Sequence, residues 1–229
     1  MKQRIRLAAT DTTINQEHNR EFGRAVQAGS LLTSAFAGLI KGRKEHGQVG
    51  RLNKRLLKIQ QMDVVNRYGE RRVVQGDLSL LAGFDFFQKS RLRTNFHGAI
   101  GVDINAAKGS GLVQIPVFHP REGISYEGPY THLMFSAGLA AVDFEREQTV
   151  THIVRSEFFD REEPVTTELR PQLPEPVNVL LVLAVGLEFY KVVNGEAYPI
   201  GGQRSLSLRI QYIHQPGKKR ACFPMHIKI

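Results

Sequence analysis

Residues 179–187 read VLLVLAVGL, nine apolar positions without a break. The run is far shorter than the roughly 20 residues a membrane helix needs, so the rest of the chain, or another chain, must keep water from it. A strand buried on both faces meets that requirement, as does a strand at an assembly edge. Left exposed, such a segment is an aggregation hazard. Val177 to Val192 is therefore expected as a central strand.

On either side of Phe96 the apolar spacing differs. From Glu17 to Lys41, Phe22, Val26, Leu32, Phe36 and Leu39/Ile40 recur at helical intervals, and Gly42 is a natural stop. Leu52, Leu56 and Ile59 form the stripe of a second helix over about 49–62, and the loop Gly42–Gln48 makes the two a hairpin. Between 67 and 93 the pattern is irregular. Asp77 is placed to cap a short helix through Leu78, Leu80 and Leu81, while Phe84, Phe86 and Phe87 call for burial.

After Phe96 the period is two. Ile100, Val102 and Ile104 open the series, and 106–111 reads as a turn. Strands follow through Leu112, Ile115 and Val117, then Leu133, Phe135 and Ala137, then 149–158, 165–169, 177–192 and 205–213. Asn194-Gly195 between two such runs is a strong hairpin signal. About seven strands without intervening helical period disfavour a parallel nucleotide-binding sheet. The expected architecture is α+β: a basic helical hairpin over 1–95, then an antiparallel fibronectin-III/immunoglobulin-like β-sandwich over 96–229.

Short patches extend this reading: Glu21-Phe22-Gly23, Arg51-Leu52, Gly69-Glu70-Arg71-Arg72, Gly83-Phe84, and Glu188-Phe189-Tyr190 ahead of Asn194-Gly195. In these the chain resembles a group of uncharacterised bacterial proteins with a basic helical front and a fibronectin-III-like or immunoglobulin-like rear. The resemblance implies a fold and no activity.

Charge points to partners rather than to fold. Residues 1–95 hold 18 Lys and Arg against 8 Asp and Glu; residues 96–229 hold 13 against 14. The densest stretch carries Lys41, Arg43, Lys44, Arg51, Lys54, Arg55, Lys58, Arg67, Arg71 and Arg72. Such a face is either solvated surface or a phosphate-neutralising one, and of these ten all but Arg67 are taken as the candidate nucleic-acid contacts. A site making about 6 to 10 phosphate contacts loses roughly 10³–10⁵ in affinity between about 50 and 200 mM salt. No aromatic residue interleaves from Lys41 to Arg67, so base stacking is not offered.

Catalytic signatures are missing. The eight histidines are scattered with no metal-ligand spacing, although His132 and His152 fall on candidate neighbouring strands. Asp143, Glu145 and Glu147 alternate as if on one strand face, and Asp160, Glu162 and Glu163 crowd a turn, yet neither group has the glycine-containing loop of a calcium site. Gly109-Ser110-Gly111 lies between two strands, where a hairpin turn is expected rather than a phosphate loop. Trp, the preferred platform for sugars, is absent. No metal, cofactor or small-molecule substrate is indicated.

The single cysteine, Cys222, allows no intrachain disulfide and suits a reducing compartment. The first ten residues have no apolar core of a signal peptide, so a cytoplasmic location is expected. The function expected is that of a non-enzymatic structural or protein-interaction module of a larger assembly, through a protein partner or self-association. The alternative is a sequence-nonspecific nucleic-acid-binding protein using the basic helices at 41–72.

Overall fold

The computed structural model describes residues 2–43, 45–174, 178–202 and 204–217, with backbone alone for 2–13. Helices come first: α1 (Lys2–Ala35), α2 (Ala37–Ile40) and α3 (Gln48–Gln60). A 3₁₀ turn at Leu78–Leu81 and a one-turn α4 (Leu92–Asn95) lead to the strands. These are β1 (Gly101–Asn105), β2 (Ser110–Phe118), β3 (His132–Asp143), β4 (Gln148–Arg155), β5 (Phe159–Asp160), β6 (Val165–Leu169), β7 (Leu180–Val193), β8 (Glu196–Pro199) and β9 (Leu206–His214), with a one-turn α5 (Pro120–Gly123) between β2 and β3.

All strand pairings are antiparallel. The larger sheet runs β4-β3-β7-β8, with β9 also paired to β7 and β5 to β3; the smaller sheet is β1-β2-β6. Thus the chain is α+β, a helical part followed by two antiparallel sheets. β7 lies at the centre, and Leu180 to Tyr190 are all buried. Alternate residues face opposite layers, as the strand period requires. Leu180, Val182 and Ala184 meet Phe36, Leu39, Leu56, Phe84 and Phe86 of the helical side. Leu181, Leu183, Val185 and Leu187 meet Ile104, Val113, Ile115, Val165 and Leu169 of the small sheet. The layer under the helices therefore draws on residues from both sides of Phe96.

Local signals in the sequence locate several elements. Asp77 accepts a hydrogen bond from Ser79 N at 3.1 Å and caps the 3₁₀ turn. Asn194 (φ 53°) and Gly195 (φ 81°) form the β7–β8 turn, where both central residues need positive φ. Gly109 (φ 61°) closes the β1–β2 turn.

Other expectations need correction. α1 begins at Lys2, well before Glu17, and from Ile14 to Arg20 only Glu17 is not fully exposed. An apolar stripe cannot signal a helix that has nothing to pack on. Within the packed half, the buried positions are Ala25 and Ala28 rather than Phe22, which is 49% exposed, and Val26 is only partly buried. The reason is close approach: a Cβ on Gly29 would overlap Asn53 Oδ1, so α1 meets the antiparallel α3 through small side chains. On β2, Val113 and Ile115 face the core, whereas Leu112 is half-buried and Val117 is 72% exposed. Asp143 ends β3, and 144–147 form a turn in which the Asp143 carboxylate accepts from Glu145 N and Arg146 N, so the three acids share no strand face. Val177 and Cys222 lie outside the described residues. Among the described residues, no helix is long and apolar enough to cross a membrane.

Candidate functional site

The basic residues picked out in the sequence do not form one surface. Lys41, in the left-handed conformation that ends α2, donates from Nζ to Glu188 Oε2 (2.8 Å) and Tyr190 OH (3.2 Å). Arg43 donates to Ser205 Oγ at 3.0 Å. Lys44 lies outside the described residues. Arg67 pairs with Glu70, Arg71 lies 3.8 Å from Glu21 and over the Tyr68 ring, and Arg72 pairs with Glu145 at 3.0 Å. Lys41, Arg43, Arg67, Arg71 and Arg72 are thus engaged with the chain's own groups.

Arg51, Lys54, Arg55 and Lys58 do come together. Their spacing of three and four residues puts them on one face of α3, and that face is one wall of a cleft of about 650 Å³. The opposite wall is the segment Gly83–Thr94, which contributes Gln88, Arg91, Arg93 and Thr94, and Arg209 of β9 also lines the cleft. Seven cations thus line one concavity, with Asp85 the sole acid among the lining residues. Arg91, Arg93 and Arg209 were not legible as partners of α3, because 33 to 158 positions of chain separate them from Lys58 or Arg51. The only sequence signal was the local density Arg91-Leu92-Arg93.

The walls are fixed to one another by buried polar groups. Glu45, at the foot of α3, accepts from Gln88 N and Lys89 N (both 3.0 Å) and pairs with Arg51 Nη1 at 2.8 Å. Although burial works against its ionisation, these three donors hold the Glu45 carboxyl below its ordinary range. Arg51 donates further to Phe86 O, and Arg55 donates to Leu80 O. At the other end, Asn95 Nδ2 donates to Ser90 Oγ (2.8 Å) and Ser207 Oγ (3.0 Å), while Ser90 Oγ donates to Arg204 O. The loop that carries Arg91 and Arg93 is therefore tied to β9.

Gly83–Phe86 runs along the edge of β9, with Gly83 N donating to Ile210 O, Ile210 N to Phe84 O and Phe86 N to Leu208 O. This register sets Asp85 opposite Arg209. Arg209 Nη1 donates to Asp85 Oδ2 at 2.9 Å, and Asp85 Oδ1 accepts from Leu92 N. Both side chains are nearly buried, at 13% and 11% exposure. Burial pushes Asp85 above the ordinary Asp value against the pull of Arg209, the Leu92 N–H, Arg91 and Arg93. Burial also lowers Arg209; Asp85 opposes this, while the like charges of Arg93, Arg55 and Arg91 add to it. An arginine keeps its proton throughout, so the cleft retains a large positive excess.

By contrast, the side chains of Lys54, Lys58, Arg91 and Arg93 make no hydrogen bond or ion pair among the described residues. All four are exposed. The geometry gathers cations on a frame tied together by buried hydrogen bonds, and Phe84, the lining aromatic, is buried. It can hold phosphate oxygens without stacking bases.

The chain matches no family model, no curated protein and no solved structure. Function must be argued from the cleft itself. The other sequence candidates do not converge on a site. His132 and His152 lie on adjacent strands, but His152 pairs opposite Leu139, seven positions along β3 from His132. Among the described residues, no three His, Cys, Asp or Glu side chains gather as a metal-binding group.

Proposed function

We propose that this protein binds nucleic acid through its sugar–phosphate backbone, without sequence preference, in the cleft between α3 and Gly83–Thr94. The observation that supports it is the gathering of Arg51, Lys54, Arg55, Lys58, Arg91, Arg93 and Arg209 around one concavity whose lining acid, Asp85, is already paired. The chain acts by binding rather than by turnover. Five of the cations (Lys54, Arg55, Lys58, Arg91, Arg93) have no acidic partner among the described residues, so about five phosphates are neutralised. Affinity then falls roughly one hundred- to five-hundred-fold between about 50 and 200 mM salt. The test is fluorescence anisotropy with labelled DNA and RNA at those two concentrations. Binding that collapses as stated supports the reading; no binding at the lower salt removes it.

A second reading, a protein-interaction or self-association module, is favoured by Val64 and Val65. They stand 95% and 73% exposed on a loop pinned by the buried Asp63. A concentration-independent monomer in sedimentation velocity removes self-association. We also read the stacked sheets as a sandwich of fibronectin-III/immunoglobulin type, which the shared apolar layer between two antiparallel sheets supports.

A further inference from the structure

Arg209 brings a nearly buried guanidinium to the cleft, and the detail there goes beyond diffuse attraction. Asp85 takes one corner of the guanidinium, Nη1. Among the described residues no hydrogen bond engages Nη2, and Nε is buried without one. Beside Nη2 the chain places Gly83 at φ 82°, where a Cβ would stand 2.8 Å from Nη2. A residue with a side chain at that position would close the approach to the open corner of Arg209. Arg55, Arg91 and Arg93 are near enough to depress the Arg209 proton affinity. Arg55, Arg91 and Arg93 line the same cleft as Arg209, along with Lys54 and Lys58, and its one lining carboxylate, Asp85, is also anchored to Leu92 N. Four guanidinium groups against one carboxylate leave a local excess of positive charge.

We propose that this corner is a discrete seat for a single, doubly charged phosphate group: the terminal phosphate of a nucleic-acid strand or a free phosphate ion. The inference rests on the cleft being an anion surface, and it deepens that reading by naming the group bound. Charge selects it. A terminal phosphate carries close to two charges near neutral pH, whereas a backbone diester carries one, and fixed arginine donors reward the extra charge through charge-assisted hydrogen bonds. Access selects it as well. A strand end brings one flanking sugar to Gly83, whereas a mid-strand phosphate brings two.

The experiment compares one labelled oligonucleotide with a 5′-phosphate and with a 5′-hydroxyl, and uses inorganic phosphate as competitor against chloride at matched ionic strength. The phosphorylated strand should bind about tenfold more tightly, the size of one charge-assisted hydrogen bond. Inorganic phosphate should displace it at one ion per chain. Arg209→Gln should abolish the difference, with circular dichroism and Tm confirming that the variant is folded. If it does not fold, Gly83→Ala is the second variant, and it should weaken the phosphorylated strand selectively. Equal binding of both oligonucleotides, with no phosphate competition beyond ionic strength, overturns the seat and leaves the nucleic-acid cleft standing. One-to-one binding of inorganic phosphate with no oligonucleotide binding supports the seat and overturns the nucleic-acid reading.

Discussion

Lys41 reaches from the end of α2 to Glu188 in the middle of β7, Nζ to Oε2 at 2.8 Å. The glutamate is 1% exposed and the lysine 33%. A residue marked by the sequence as a surface cation is thus the counter-ion of the sheet's one buried glutamate, and Tyr190 OH completes the group by donating to the same Oε2. Burial, and then the Glu188 charge, push the Tyr190 hydroxyl above its ordinary value.

Removing Lys41 leaves Glu188 buried with Tyr190 as its hydrogen-bond donor. Lys41→Met is expected to cost about 2–3 kcal/mol, below the full cost of breaking a buried pair because the lysine is partly solvated. That corresponds to a Tm fall of about 4–12 °C for a chain of this size. Glu188→Gln placed in the Lys41→Met background should recover part of the loss in thermal melts.

Charge and stability in the cleft should be separable. Lys54, Lys58, Arg91 and Arg93 are exposed and unengaged, so their joint replacement by Gln should leave Tm nearly unchanged. The salt slope of nucleic-acid binding should drop by about 3 to 4, one near-unit step per phosphate contact. Arg51→Gln should behave oppositely, losing about 1–2 kcal/mol of stability as the Glu45 carboxylate and Phe86 carbonyl lose their donor.

Asp63 is an acid-sensitive pin. Burial works against its charge, but four hydrogen bonds, from the Asn66 side chain and from Arg72 N, Asn66 N and Val65 N, hold it down at about 2. A carboxyl lowered on folding stabilises fully above its unfolded value of 3.8 and loses that contribution as pH falls toward about 2. The contribution is on the order of 1–2 kcal/mol after allowance for solvent screening near the surface. Equilibrium unfolding of the wild type and Asp63→Ala from pH 6 down to pH 2 checks it: the gap between them should close across the acid limb.

Close helix contact should be sensitive to one methyl group. A Cβ at Gly29 overlaps Asn53 Oδ1, which is buried and without a hydrogen-bond partner. Gly29→Ala is expected to destabilise by about 1–3 kcal/mol through overpacking, despite the better helix propensity of Ala. Gly23→Ala, with open space around it on the same helix, should be neutral or slightly stabilising when both variants are unfolded in urea.

Local rules made much of the fold legible. Asp77 has its cap, Asn194-Gly195 its turn and the VLLVLAVGL run its two covering layers, because each depends on a few neighbouring residues or on burial alone. Faces were harder to read. Phe22 is more apolar than Ala25, yet Ala25 is the buried one, since the approach of α3 rewards small size over hydrophobicity. The acids at 143–147 alternate as strand residues do, but Asp143 hydrogen-bonds the backbone ahead of it and makes a turn instead.

The same division holds for the site. By itself the sequence determined that charge is concentrated before Phe96 and that Arg51, Lys54, Arg55 and Lys58 share one helix face, because helical spacing is a local property. Tertiary structure decided which of the ten basic residues line the cleft. It engaged Lys41, Arg43, Arg71 and Arg72 with partners elsewhere in the chain and brought Arg91, Arg93 and Arg209 to α3. Charge is carried by residue type, but a binding surface is made by distance. The distance between α3 and β9 was set by the apolar residues packed beneath them and by the pairing of Gly83–Phe86 with a free strand edge.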